Sequence, residues 1–290
     1  MRFLITGASG QLGQEILLKL QSNRVNVIGL SSHDIEFLKP DTVADIVASY
    51  KADWVINCAA YTDVDKAEEE SEKAALINRD SARSVAEGVK SYGGRMAHIS
   101  TDFVFNGKQG SPYDESDATS PLGKYGQSKY EGEKAVLEQL PDALILRTAW
   151  VYGIHGHNFV KVILRLASEK ETLTVVDDQI GTPAWTADIA DSLLSLINLE
   201  ASGIYHFTNE GVASWYDFSI AIVAEAEKLG FPSKVKQIIA ISTKDYPTPA
   251  VRPTYSVLSK IKIRQVLSKP IPYWRDSLCA MLKELKQNVL

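Results

Sequence analysis

The chain begins with Arg2-Phe3-Leu4-Ile5-Thr6-Gly7-Ala8-Ser9-Gly10-Gln11-Leu12-Gly13, an apolar run that leads directly into a glycine-rich turn. The apolar run predicts a β-strand, and the residues after the turn predict a helix. Glycines at this spacing permit a tight turn, and they let backbone N–H groups at the helix N-terminus approach a pyrophosphate. The stretch therefore predicts a dinucleotide site. The residues expected to contact the cofactor here are Gly7, Ser9, Gly10, Gln11, Leu12 and Gly13.

The first half of the chain continues to alternate apolar runs with amphipathic stretches. Further strands are predicted at Val25–Leu30, Trp54–Cys58, Met96–Ser100 and Ala143–Arg147. Helices are predicted at Leu12–Leu20, Val43–Tyr50, Ala67–Tyr92 and Lys124–Leu140. Strands separated by helices form βαβ units, so the pattern predicts an α/β protein with a doubly wound, Rossmann-type parallel sheet.

The pattern loosens after about residue 150, where prolines divide the chain into shorter pieces. Helices still fit Phe159–Ser168, Ala187–Leu199, Tyr216–Leu229 and Trp274–Lys286. We therefore expect an NAD(P)-binding Rossmann domain from residues 1–150 plus roughly 184–212. A smaller, mixed α/β substrate-binding lobe is expected from roughly 151–183 and 213–290.

Composition and charge exclude several classes of protein. The 290 residues are 45% hydrophobic and 23% charged, which is typical of a globular protein, and the formal net charge is −5. A net negative charge is not typical of nucleic-acid-binding proteins, which carry clusters of basic residues. No apolar run approaches the length of a membrane span, no leader pattern is visible at the N-terminus, and the two cysteines form no pair motif. We expect a cytoplasmic protein, monomeric or homodimeric, that contacts neither nucleic acid nor membrane.

The residues after the second and third predicted strands indicate how a dinucleotide would be held. Ser31 follows the second strand without an acidic residue at the strand end, which favours NADPH over NADH, although NADH is not excluded. Asp34 is expected to reach the adenine, with Ile35 against its ring. Ala59 and Ala60 are small enough for the cofactor to lie close to the backbone.

A candidate catalytic site follows from Tyr125 and Lys129, which are four residues apart in a predicted helix and so lie on one face. A nearby ammonium is expected to lower the pKa of the tyrosine, which could then protonate a carbonyl oxygen as a general acid. Thr101 lies at the end of the fourth predicted strand, where open α/β sheets assemble their sites, and it can hydrogen-bond the same oxygen.

Several segments together resemble one known group of enzymes. They are Gly7–Gly13, Asn57–Ala60, Tyr61–Glu68, Ser100–Gly107, Tyr125–Lys129, Leu146–Gly153, Asn158–Val160, Asp178–Pro183 and Val251–Pro253. The chain resembles the extended short-chain dehydrogenases/reductases, and among them the dTDP-4-dehydrorhamnose reductases. The glycine turn and the Tyr/Lys pair mark only the superfamily. The segments beginning at Tyr61, Ser100 and Leu146 are typical of a much smaller group of enzymes within that superfamily.

The resemblance implies NAD(P)H-dependent reduction of the C4 keto group of dTDP-4-dehydro-β-L-rhamnose to dTDP-L-rhamnose. Thr101, Tyr125 and Lys129 fall on the family's catalytic threonine, tyrosine and lysine, and Lys129 would also bind the nicotinamide ribose. The residues that the resemblance places around the nucleotide sugar are Thr62, Asp63, Val64, Thr101, Asp102, Trp150, Asn158 and Arg252. The Arg252 guanidinium is suited to a diphosphate, because its fork can donate two hydrogen bonds.

Other readings of the same motifs stay open. Sugar-nucleotide dehydratases would need an acidic residue after Asp102, where this chain has Phe103. Other nucleotide-sugar 4-ketoreductases and epimerases share the motifs, and so does a non-catalytic, NADP-binding regulatory subunit. Some relatives bind magnesium through carboxylates. Here Glu15 matches one of those positions but Asp188 matches poorly, so no metal is expected.

Overall fold

The computed structural model describes residues 1–289 and contains a six-stranded sheet in which every pair of neighbouring strands is parallel. The strands run in the order β10-β5-β4-β3-β1-β2. They are β1 (Arg2–Thr6), β2 (Asn26–Leu30), β3 (Trp54–Asn57), β4 (Arg95–Thr101), β5 (Leu144–Thr148) and β10 (Gly203–His206). This sheet confirms the predicted α/β, Rossmann-type fold class.

The chain reverses its direction across the sheet beside β1. Strand β2 lies on one side of β1, whereas β3, β4 and β5 follow in succession on the other. A crevice opens at such a reversal, outside the carboxyl ends of the strands. The glycine turn that follows Thr6 therefore lies at the edge where a site is expected.

Helices cover both faces of the sheet, as the apolar strands require. On one face α1 (Gln11–Ser22) and α7 (Thr186–Asn198) pack on each other and on the sheet. On the other face lie α2 (Pro40–Tyr50), α4 (Ala82–Ser91) and α5 (Lys124–Gln139). Strands β1, β3 and β5 are mostly apolar because both of their faces are buried, whereas the edge strand β2 is only partly buried.

The second half of the chain adds short strand pairs and a separate hydrophobic core. The pairs are β6 (Val151–Tyr152) with β9 (Ala184–Trp185), β7 (Thr172–Val176) with β12 (Gln237–Ile241), and β8 (Ile180–Gly181) with β11 (Ala213–Ser214). The helices around this second core are α6 (Phe159–Glu169), α8 (Trp215–Lys228) and α10 (Trp274–Val289). A short α9 (Ile261–Val266) packs beside β10.

The single helix predicted over Ala67–Tyr92 is wrong. The segment contains a 3₁₀ turn (Lys66–Glu68), the short α3 (Ser71–Ala75), a π-helical turn (Leu76–Ser81) and then α4. The periodicity is regular enough to suggest one helix, but tertiary contacts at Asn78 interrupt the α-helical ladder. The strand predicted to reach Cys58 ends at Asn57.

The sequence predicts a Rossmann domain and a smaller substrate-binding lobe, and the elements of the structure fall within these two parts as follows. Helix α7 packs on the main sheet and strand β10 pairs with β5. The chain before and after them contributes to the second core, except that Ile263 and Ile271 of the predicted lobe pack in the core of the main sheet. Leu290, the last residue of the predicted lobe, lies outside the described residues. Among residues 1–289, no helix is both long and apolar enough to cross a membrane.

Candidate active site

A cleft of about 840 Å³ opens at the carboxyl ends of β1, β3, β4 and β5. This volume lies in the range of small-molecule and cofactor sites. The cleft brings together most of the residues that sequence analysis assigned to the cofactor, the reaction and the substrate. Those that line it are Gly7, Ser9, Gly10, Gln11, Leu12, Gly13, Ile35, Ala59, Ala60, Thr62, Val64, Thr101, Asp102, Tyr125, Lys129 and Trp150.

The glycine turn is folded so tightly that no side chain could replace Gly7 or Gly13. Gly7 has a φ of +69°, and a Cβ atom there would lie 2.6 Å from the backbone nitrogen of Ala59. A Cβ atom on Gly13 would lie 2.2 Å from the Gly7 carbonyl oxygen. The turn therefore leaves backbone N–H groups at the N-terminus of α1 open toward the cleft, which suits an anionic diphosphate.

A chain of buried polar side chains ties the strand ends together beneath the cleft. The Thr6 hydroxyl donates to Asn57 Oδ1 over 2.7 Å, and Asn57 Nδ2 lies 3.0 Å from His98 Nδ1. Because an amide nitrogen can only donate, His98 Nδ1 accepts and the ring proton lies on Nε2. Burial holds the pKa of His98 well below its usual value, so the ring is neutral. The Ala59 backbone nitrogen also donates to Asn57 Oδ1, which fixes the small residues at the end of β3.

The loop after β2 does not direct Ser31 and Asp34 into the cleft, where they were expected to contact the cofactor. Ser31 donates to the Asp34 carboxylate from both its backbone nitrogen and its hydroxyl, each over 2.8 Å. These bonds lower the pKa of Asp34, and neither residue lines the cleft. Asp34 therefore stabilises a turn here, and its predicted contact with adenine stays a prediction. Ser32, which with Ser31 and His33 could donate to a 2′-phosphate, lines the cleft together with Ile35 and with Phe37, which was not assigned to the site.

The proposed reaction centre lies on α5. Lys129 is buried, and its Nζ donates to the Ile99 carbonyl oxygen of β4 over 2.6 Å. Thr101 ends β4, and its hydroxyl donates to Asp102 Oδ1 over 3.1 Å. Tyr125 lines the cleft between Thr101 and the ring of Phe103, whose centroid lies 5.5 Å away. The three predicted catalytic residues thus meet in one cleft.

The expected lowering of the Tyr125 pKa by Lys129 is wrong for this structure. Burial raises the pKa of Tyr125 to about 12, against a hydrogen bond with Thr101 that lowers it. Lys129 is not among the groups that shift the tyrosine, because its ammonium is directed to the Ile99 carbonyl. Burial also lowers the pKa of Lys129 itself to about 8. Tyr125 is therefore a neutral phenol at pH 7, the form that can donate a proton.

Asp102 is a buried carboxylate beside the reaction centre. Burial raises its pKa to about 6, although hydrogen bonds, including that from Thr101, oppose the shift. Its Oδ2 atom has no hydrogen-bond partner among the described residues.

Trp150 is held in a strained conformation by the second half of the chain. Its φ of 46° lies in the left-handed region, which bulky residues rarely adopt. The indole stacks on Trp215 with ring centroids 3.5 Å apart. Its other neighbour is Gly181, where a Cβ atom would approach the indole to 2.6 Å. Such strain persists only where the surroundings impose it, and here a stacked ring and a missing side chain do so.

Comparison with known proteins assigns the chain to a family. The model of the RmlD substrate binding domain matches residues 1–287. The chain belongs to the RmlD family. A dTDP-4-dehydrorhamnose reductase from Aggregatibacter actinomycetemcomitans is 42% identical over 284 residues, which cover 96% of this chain and 97% of the relative.

Two further relatives of this RmlD family member bear on cofactor and substrate. The crystal structure of dTDP-4-dehydrorhamnose reductase from Bacillus anthracis in complex with NADP superposes with a TM-score of 0.92 at 36% identity, covering 98% of this chain and 99% of that one. A dTDP-4-keto-6-deoxy-D-glucose reductase from Streptomyces niveus is 37% identical over 279 residues, covering 96% of this chain and 95% of the relative.

Three residues assigned to the substrate do not line the cleft of this RmlD protein. Asp63 forms an ion pair with Lys66 over 2.9 Å, at the surface. The Arg252 guanidinium donates to both carboxylate oxygens of Asp65, over 3.1 and 2.7 Å. Asn158 caps α6 by accepting from the backbone nitrogen of Lys161.

Asn78 supports the site of this RmlD protein from outside the cleft, and sequence analysis missed it. It lies in the π-helical turn, and its Oδ1 accepts from the Tyr61 backbone nitrogen over 2.8 Å. Its Nδ2 donates to the Tyr61 carbonyl oxygen and to Ser128 Oγ of α5. Asn78 thus joins the loop before Thr62 to the helix of Tyr125. Gly132 within α5 is the signal that could have indicated this close approach, since a Cβ atom there would lie 2.0 Å from the Asn78 carbonyl oxygen.

Glu15 is the residue that resembled a metal ligand. Its carboxylate accepts from the Thr186 hydroxyl over 3.2 Å, and burial raises its pKa. Within residues 1–289 of this RmlD protein, no group of three or more His, Cys, Asp or Glu side chains could hold a metal ion.

Proposed function

We propose that the chain catalyses the NADPH-dependent reduction of the C4 keto group of dTDP-4-dehydro-β-L-rhamnose to dTDP-L-rhamnose, with Tyr125 as the general acid. One observation carries the proposal: Thr101, Tyr125 and Lys129 share a single cleft with a glycine turn built for a diphosphate. Membership of the RmlD family supports it, and so does the NADP complex of the relative from Bacillus anthracis.

Each of these side chains has a distinct task. Bound NADPH would supply the hydride. Tyr125 donates its proton to the C4 oxygen, and this transfer is downhill because an alkoxide is far more basic than a phenolate. With a pKa of about 12, Tyr125 is protonated before the reaction. Thr101 orients the same oxygen, and Lys129 holds the nicotinamide ribose.

The remaining predicted contacts are part of the proposal. We assign Gly7, Ser9, Gly10, Gln11, Leu12, Gly13, Ile35, Ala59 and Ala60 to the cofactor, whereas cofactor contacts of Ser31 and Asp34, which do not line the cleft, stay predictions. We assign Thr62, Val64, Asp102 and Trp150 to the nucleotide sugar, whereas sugar contacts of Asp63, Asn158 and Arg252, which do not line the cleft, stay predictions. In this proposal, residues 1–150 with roughly 184–212 bind the cofactor, and roughly 151–183 with 213–290 form the substrate lobe. The protein would act in the cytoplasm as a monomer or homodimer, and NADH would be the weaker alternative cofactor.

A second candidate is the reduction of another dTDP-4-keto-6-deoxy sugar. The Streptomyces niveus relative, named for such a substrate, favours it. Dehydration is disfavoured, because the Phe103 ring occupies the place of the acid that elimination would need and packs against Tyr125.

The test is to mix the purified protein with NADPH, and separately with NADH, and dTDP-4-dehydro-β-L-rhamnose made in situ. The loss of reduced cofactor is followed by absorbance, and the product sugar is identified by chromatography and NMR. Tyr125→Phe should lower kcat by about 10²- to 10⁴-fold while cofactor binding is retained. Tyr130→Phe is the matched control, because Tyr130 lies on the same helix but does not line the cleft.

The outcomes separate the candidates. Formation of dTDP-L-rhamnose that is lost only with Tyr125→Phe supports the proposal. A different 6-deoxy sugar as the preferred product supports the second candidate. Cofactor binding without turnover of any 4-keto sugar would contradict both and indicate the non-catalytic regulatory subunit.

A further inference from the structure

Helix α5 carries a third polar residue on the face that presents the catalytic pair. Tyr125, Lys129 and Glu133 are spaced four residues apart, so their side chains follow one another along one side of the helix. Glu133 is only 2% exposed and Lys129 only 3%. A buried carboxylate on a helix is uncommon and needs a partner.

The partner of Glu133 is Arg147 on β5. Arg147 Nε donates to Glu133 Oε1 over 2.8 Å, and Nη2 donates to Oε2 over 2.7 Å, so the pair is bidentate. Arg147 is itself 2% exposed and lies over the ring of Phe105. Because the two hydrogen bonds fix both the distance and the rotation of the side chains, they fix how α5 lies against the sheet.

We propose that Glu133 is a positioning residue for the reduction: through Arg147 it anchors the catalytic helix to β5, and its carboxylate acts on the Lys129 amine one helical turn away. The proposal rests on the function proposed above for Tyr125 and Lys129. Lys129 itself reaches the neighbouring strand, at the Ile99 carbonyl oxygen. Glu133 and Lys129 therefore bind adjacent strands, one helical turn apart, and together set the position of Tyr125.

The electrostatic part of the proposal follows from the groups around Lys129. Burial lowers the pKa of the amine, and Glu133 is the largest opposing influence. Three other titratable groups face the amine or share its helix face. The pKa values of Cys58 and Tyr125 are raised to about 12, and buried His98 is neutral, so none of the three is charged at pH 7. Among the described groups that shift the Lys129 pKa, Glu133 is thus the one with a negative charge.

The experiment compares Glu133→Gln with the wild type in the pH dependence of kcat. In the wild type, the alkaline limb should follow the loss of the Lys129 proton near pH 8. Without the carboxylate, the limb should move about one pH unit lower. Glu133→Asp keeps the charge and should restore the limb even if kcat is reduced. Glu131→Gln is the matched control, because Glu131 pairs with Arg79 and does not affect Lys129.

A second readout does not depend on turnover. Lys129 is labelled with acetic anhydride at a series of pH values, and its modification is quantified by mass spectrometry against exposed lysines. The inflection for Lys129 should fall by the same amount in Glu133→Gln. If the reductase assay fails for every variant, this titration still tests Glu133, so failure of the proposed function is recognised separately.

The double variant Glu133→Gln/Arg147→Met distinguishes the effect of the lost Glu133 charge from a simple folding defect. The single substitution leaves Arg147 buried without its partner, whereas the double substitution removes both charges. The double variant should regain thermal stability yet keep the shifted limb and the shifted labelling curve. A wild-type limb and labelling curve in a folded Glu133→Gln protein would overturn the proposal.

Discussion

The Asn158 side-chain amide donates a hydrogen bond to Gln11 Oε1 over 2.9 Å, joining the N-terminus of α6 to the glycine turn. The same nitrogen donates to the Gly153 carbonyl oxygen over 2.8 Å, while Oδ1 caps the helix. Gln11 lines the cleft and Asn158 does not. Asn158 thus acts on the cofactor turn from outside the cleft.

Replacing Asn158 with aspartate should weaken cofactor binding more than it weakens the fold. Aspartate keeps the capping oxygen but removes both donated hydrogen bonds, and it places a negative charge beside the turn. Losing one or two hydrogen bonds at about 0.5–1.5 kcal/mol each predicts an increase of about tenfold in the Kd for NADPH. Isothermal titration calorimetry measures it. An unchanged Kd would show that the bridge does not support the turn.

Because Trp150 stacks on Trp215, removing the Trp215 ring should weaken binding of the nucleotide sugar without affecting binding of NADPH. In Trp215→Ala the indole of Trp150 loses the ring that holds its backbone at positive φ, so it should turn away from the cleft. We expect the KM for the nucleotide sugar to rise about tenfold, the equivalent of about 1.4 kcal/mol, while the KM for NADPH is unchanged.

Two further variants check this prediction. Trp215→Phe keeps an aromatic surface and should retain most of the affinity. Gly181→Ala should imitate Trp215→Ala, because its Cβ would collide with the Trp150 indole. Equal effects on both KM values would instead indicate a general loss of structure.

Replacing Asp102 with asparagine should make the folded protein more stable and the enzyme less active. Its pKa is about 6 in the folded protein and 3.8 in the unfolded chain, so the folded state binds the extra proton between these values. Stability should therefore fall as pH rises from about 4 to 6, by about 3 kcal/mol in all. Asp102→Asn should raise the free energy of unfolding by up to this amount above pH 6, and by nothing below about pH 4.

Urea denaturation at pH 4 and pH 7.5 measures the effect, and the reductase assay measures its consequence. Activity should fall, because Asp102 lines the cleft beside Thr101. A stability difference that is the same at both pH values would contradict the assigned cause, burial of the charged carboxylate.

Sequence reasoning succeeded where a local pattern has one physical solution. The run Phe3–Thr6 before the glycine turn can only be a buried strand that enters a tight turn, and the structure has both. Tyr125 and Lys129 share a helix face because four residues make about one turn. These features need no knowledge of distant residues.

It failed where a contact between distant residues decides the outcome. The π-helical turn at Asn78 exists because that side chain bonds to Tyr61 and to α5, and helical periodicity carries no sign of it. Arg252 pairs with Asp65, which lies 187 positions away in the sequence. The Tyr125 pKa depends on where the Lys129 amine points, which spacing along a helix does not determine.

The path of the chain through the two cores has a consequence for synthesis on the ribosome. The second core combines residues 152–175 with residues 213–282, and its last contributors lie on α10. The nascent chain therefore completes the glycine turn and the Tyr125/Lys129 pair long before that core can close. A chain that stalls before Trp274 would present a finished cofactor turn beside an exposed apolar surface. We expect such an intermediate to bind chaperones until α10 has been synthesised.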